Sequence, residues 1–100
     1  MGITPDNWPF DQGPRVACLT TRQVFKLDFP ILSVTHFSEE EDWAFSCGTS
    51  AATEDAMLVA MEEAYKRDPT IAEVADLPPG WRADRQVVGG PWSRYADSSA

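Results

Sequence analysis

The chain has 100 residues, 43% apolar and 24% charged, with two cysteines and a formal net charge of −8. That composition suits one domain whose single core buries roughly 60–65% of the unfolded surface. It excludes a disordered chain, a disulfide scaffold and an ordinary nucleic-acid binder, because the chain is too apolar, too poor in cysteine and too acidic for them.

Pro5, Pro9 and Pro14 stand in the first fourteen residues, with Trp8 and Phe10 among them. Proline fixes φ and removes a donor, so residues 1–14 read as an irregular arm that docks through its aromatics. No basic and apolar leader is present, and the longest apolar-leaning stretch, residues 29–37, falls far short of the roughly 20 residues of a membrane span. A cytoplasmic protein without a membrane partner is expected, with Cys18 and Cys47 as reduced core thiols.

Residues 16–20 are β-rich and predict a first strand. Residues 20–27 fit one or two helical turns capped by Thr20, or an extended segment, and Asp28-Phe29-Pro30 stops either. Residues 31–37 and 43–48 predict an antiparallel hairpin across a polar break. In its second arm Trp43, Phe45 and Cys47 alternate with Ala44, Ser46 and Gly48. A loop over residues 49–53 leads to the main predicted helix, residues 53–67. Thr53 would cap it, Glu54 and Asp55 suit its positive end, Lys66 and Arg67 its negative end, and Met57, Met61, Ala64 and Tyr65 share a face. Asp68-Pro69 breaks it and opens a second, short helix, with Pro69 at its first position and Thr70 and Glu73 at capping-box spacing. A Leu77-Pro78-Pro79-Gly80 turn precedes a last strand over residues 81–88, and residues 92–100 form a tail.

The order predicts an α+β domain over residues 15–95, with residues 96–100 as a flexible end. It is a small, mainly antiparallel sheet of about four strands with two helices packed on one face.

Catalytic patterns are sparse. His36 is the only histidine, which excludes a two-histidine metal site or a histidine pair within one chain. Hairpin pairing sets Cys47 about 10 Å from His36, beyond hydrogen-bond reach, while Cys18 stays open as a partner from a neighbouring strand. Glu39-Glu40-Glu41-Asp42 lacks the spacing of a calcium loop, and Gly89-Gly90-Pro91-Trp92 lacks a phosphate-loop lysine. Ser33, Ser46 and Ser50 lack a nucleophile elbow. No catalytic residue, metal site or cofactor is assigned.

Two features remain. The chain has four tryptophans, which either fill a small core or anchor an interface; Trp81 and Trp92 each follow a turn. The charge is also localised: residues 39–76 hold eleven acids and two bases, while the remaining 62 hold five acids and six bases. Such a face either keeps the domain soluble or steers a basic protein partner. The candidate interaction surface is Glu39, Glu40, Glu41, Asp42, Trp43, Glu62, Glu63 and Trp81. The alternative is a small-molecule or enzymatic pocket near His36 and Cys18.

The landmarks also form an order: Cys18-Leu19-Thr20-Thr21-Arg22, Asp42-Trp43-Ala44-Phe45-Ser46-Cys47-Gly48, Asp68-Pro69-Thr70-Ile71, Leu77-Pro78-Pro79-Gly80-Trp81-Arg82-Ala83, Arg85, and Gly90-Pro91-Trp92. Over about residues 16–92 this resembles the small bacterial proteins grouped with immunity-protein-33-like domains. The resemblance implies a bacterial cytoplasmic domain and, for the immunity branch, neutralisation of a toxin by direct binding. It carries over no functional residue.

Overall fold

A computed structural model describes residues 8–48 and 53–100. The start of the arm, with Pro5, and the expected loop at 49–52, with Ser50, lie outside the described residues. Among the described residues the elements are β1 (Ala17–Thr21), α1 (Arg22–Phe25), β2 (Ser33–His36), β3 (Trp43–Ser46), β4 (Ala56–Ala60), α2 (Met61–Arg67), β5 (Trp81–Asp84) and β6 (Ser93–Ala96). 3-10 segments cover Thr53–Asp55 and Pro69–Val74. One sheet runs in the order β4-β1-β3-β2-β5-β6. Only β1 and β3 pair in parallel, with Leu19 opposite Ala44; the other neighbours are antiparallel.

The α+β class therefore holds, and the expected hairpin forms in the register His36 opposite Trp43 and Val34 opposite Phe45. The count of about four strands is corrected to six, and the two-helix layer to α1, α2 and a 3-10 helix. Two segments account for the extra strands. Residues 93–96, expected within a tail, form β6 by pairing with β5, Arg82 opposite Tyr95. Residues 56–60, expected in the first half of the main helix, form β4 by pairing along all of β1, from Ala17 opposite Ala60 to Thr21 opposite Ala56.

The reason for the second change is a competition between local and long-range bonding. An isolated helix of this length is marginal in water, whereas Ala-Met-Leu-Val-Ala carries no charge and completes the sheet beside β1. The shortened helix starts with Ala60 at its N-cap, which offers no side-chain bond. Its first donors are satisfied by the chain instead: Met61 N–H bonds Val16 O at 2.8 Å and Glu62 N–H bonds Pro14 O at 2.8 Å. Caps also shift by a residue or two elsewhere. Thr21, not Thr20, accepts from Val24 N–H, and Thr20 donates to Phe45 O at 2.8 Å. Asp68, not Thr70, caps the 3-10 helix, accepting from the Thr70 amide at 3.0 Å and its hydroxyl at 2.6 Å.

Alternation gives the sheet two unlike faces. Val34, His36, Trp43, Phe45, Ala83 and Cys18 line the inner face, covered by Met61, Ala64, Ile71, Val74 and Leu77. The arm closes this core: Phe10 meets Trp43 edge-on at 5.1 Å, and Trp8 meets Tyr65 at 5.5 Å. Both cysteines are buried and neither is in a disulfide. Among the described residues no helix is long and apolar enough to cross a membrane.

Candidate interaction surfaces

The acidic tip is built by the hairpin. Phe37 N–H bonds Asp42 O at 2.8 Å and closes the turn between β2 and β3. Glu40 and Glu41 then take positive φ, 58° and 54°, the left-handed region that glycine and asparagine tolerate best. Holding two glutamates there costs roughly 1–3 kcal/mol each. Glu39, Glu40, Glu41 and Asp42 are all exposed, and among the described residues none of the four joins an ion pair. Gln12 pins the turn from the arm: its Nε2 donates to Glu41 O at 3.0 Å, while its Oε1 accepts from Trp43 Nε1 at 2.7 Å.

The other predicted surface residues separate. Trp43 belongs to the core, 1% exposed, stacked on His36 at 4.0 Å, so its placement on the surface is corrected. Its position on the inner face follows from the same alternation that predicts the strand. Trp81 lies opposite His36 in β5 and is half-buried. Glu63 is exposed and reaches Lys66 at 3.8 Å; Glu62 is half-buried at the start of α2. The arm joins the two acidic groups, because Gln12 holds the tip and Pro14 O holds the Glu62 amide.

His36 and Cys18 do not meet. Both sit on the inner face, but β3 lies between their strands, so strand spacing alone separates them by about 10 Å. His36 Nδ1 donates to Leu77 O at 2.6 Å, since a carbonyl can only accept, and Nε2 is buried without a partner among the described residues. Burial pushes the Cys18 thiol up to about 12, which keeps it protonated and poorly nucleophilic. Three open grooves on the described surface touch neither residue. Among the described residues no group of three or more His, Cys, Asp or Glu side chains is arranged to hold a metal.

Two further constellations escaped the sequence reading. Arg85 has a fully buried side chain. It bonds Asp68 Oδ2 at 2.7 Å, Thr70 Oγ1 at 2.9 Å and Ile31 O at 2.9 and 3.1 Å, with Trp92 stacked over it at 4.2 Å. This pairing ties β5 to the 3-10 helix and is structural. Beside it, Asp28, Phe29, Arg67 and Val88 line a groove of about 340 Å³. Leu27, Phe29, Val87 and Val88 are exposed around it, and Arg67 bonds Asp28 and the Val24 carbonyl. An Asp-Phe-Pro loop and a Val-Val-Gly-Gly loop could have signalled such a patch, but only the fold sets them side by side.

Comparison with protein-family models, curated proteins and solved structures gives no match.

Proposed function

We propose that this is a non-enzymatic protein-interaction domain that docks a basic protein through its acidic tip. The observation that carries the reading is the turn itself. Glu40 and Glu41 occupy left-handed positions where glycine or asparagine would be less strained. Strain retained to present unpaired carboxylates fits a docking role better than solubility, which acids at relaxed positions would serve equally well. Gln12 and the Phe37–Asp42 bond hold the tip in place before any partner arrives, so little ordering is left for the encounter.

Four adjacent carboxylates speed association with a cationic surface and reject anionic ones. The resemblance to immunity-protein-33-like domains agrees, because direct binding of a toxin needs a surface and no reaction. A pocket at His36 and Cys18 has less support, given the strand between them and the protonated thiol.

The test compares the wild-type chain with a variant in which Glu39, Glu40, Glu41 and Asp42 are all replaced by lysine. A partner captured by the wild type should associate with the variant about tenfold or more slowly, and wild-type association should slow with added salt. A partner that binds both chains equally, at all salt concentrations, overturns the reading.

A further inference from the structure

A second surface, independent of the tip, lies at the end of the sheet. Among the described residues β4 has β1 on one side and no strand on the other. Proteins usually guard such an edge with a lysine, a proline, a bulge or a covering element. β6, at the opposite edge, is guarded: Pro91 precedes it, Arg94 is tied to Asp76 at 2.7 Å, and Tyr95 donates to Asp84 at 2.5 Å. β4 itself holds no lysine, proline or bulge. Its residues are Ala, Met, Leu, Val and Ala, all five pair with β1 in unbroken register, and Leu58 is 70% exposed. Leu19, opposite Leu58 on the outer face, is 37% exposed, so an apolar pair spans β4 and β1 beside the edge.

The charges at the ends of β4 identify what fits. Asp55 lies near Arg22 at 3.7 Å, and Glu63 near Lys66 at 3.8 Å. Glu54 and Glu62 have no ion-pair partner among the described residues, and one stands beyond each end of the strand. Arg15 and Arg22 flank β1, on the side of β4 that is already paired. A second copy would pair two-fold about Leu58, setting Glu54 against Glu62 of the other chain at both ends. Like charges there oppose self-association.

We propose that the free edge of β4 is a strand-addition site for an extended segment of a partner protein, with a β-branched or apolar centre and Lys or Arg at each end. Main-chain bonds to the edge supply the affinity, as in other strand-addition complexes. Specificity comes from two places. An alternate side chain of the added strand covers Leu58, and the terminal cations meet Glu54 and Glu62, which stand beyond the two ends of the five-residue strand.

The probe is a synthetic peptide of alternating valine and threonine with two lysines at each end, titrated into the isotope-labelled full chain. The expected result is movement of the amide resonances of residues 56–60 and slower hydrogen exchange there. Affinity should fall about tenfold or more in Leu58→Lys, which guards the edge with a charge, and in the double variant Glu54→Lys, Glu62→Lys. The same peptide ending in glutamates should not bind. The tip variant should bind the lysine peptide as the wild type does, so failure of the tip reading and failure of this one are separately visible.

Three results overturn the proposal. One is a peptide that leaves the β4 amides unmoved. Another is binding that survives both the Leu58→Lys and the double charge variants. The third is protection of β4 that rises with protein concentration alone, which makes a second copy the occupant.

Discussion

The two edges of the sheet differ in how charge is used. On the β6 side charge is used for structure: Arg94 bonds Asp76 and Glu73 O, Arg82 reaches Asp97 at 3.6 Å, and Arg85 is buried against Asp68 beneath Trp92. On the β4 side the strand is apolar and the acids stand beyond its ends. The lesson concerns the net charge. The near-neutral part of the chain, residues outside 39–76, supplies arginines that find partners, while the acids of 39–76 include the tip carboxylates, which find none among the described residues. Charge on the β6 side is consumed by folding, whereas the carboxylates of the central hairpin tip join no ion pair among the described residues.

Removing Arg85 should test that contrast most severely. Arg85→Ala leaves the Asp68 carboxylate and the Ile31 carbonyl without their partner, and should cost about 3–5 kcal/mol in urea unfolding. A cost under about 1 kcal/mol would show that ionic contacts do not hold the β6 side.

Cys18, in β1 beside the bare edge, offers a chemical readout. With its pKa raised to about 12 by burial, the native thiol should resist alkylation at pH 8 while the unfolded chain reacts readily. The folded value exceeds the ordinary 9.0, so the contribution of this thiol to stability is complete below pH 9 and is lost as pH climbs toward 12. Rapid labelling mapped to Cys18 in the native chain would mean that the core over β1 opens readily.

Gln12→Ala removes bonds to Trp43 Nε1 and Glu41 O together and should cost about 1–3 kcal/mol, with the tip resonances broadening. If stability falls and the tip stays sharp, the turn does not depend on the arm. Arg94→Ala should cost no more than about 1 kcal/mol, and less in high salt, because the pair is exposed. The Arg94 hydrogen bond holds the Asp76 carboxyl below its usual range, so this pair is formed at neutral pH and lost as pH falls through the lowered value. The smallest effect belongs to Leu58→Lys, within about 0.5 kcal/mol of wild type, because the side chain already faces solvent. A larger loss would mean that β4 needs its leucine for folding, and the two edges would then be more alike than their residues indicate.

Part of the candidate surface is legible in the sequence, and the rest is hidden for specific physical reasons. The acidic tip follows from four consecutive acids between two β-rich runs, a pattern with strong local logic. Adjacency to those acids suggests a surface position for Trp43, although its own alternation with Phe45 and Cys47 puts it inside. Residues 56–60 satisfy a helical period as well as a strand, and the single-strand pattern cannot register that β1 lacks a neighbour there. β6 has little pattern of its own, since Ser-Arg-Tyr-Ala is exposed throughout and pairs only because β5 is already in place.

By itself the sequence determined the α+β class, the central hairpin, the docking arm and the concentration of acid at the tip. Each depends on contacts between residues close in the chain, or on charges that stay in water wherever the chain goes. Only the tertiary structure decided where the sheet ends, which arginine is buried, and that the histidine and the cysteine are kept apart. Those outcomes depend on pairings between distant segments, such as β1 with β4 and Arg85 with Asp68. Their free energy exceeds any local preference only once the whole core has assembled.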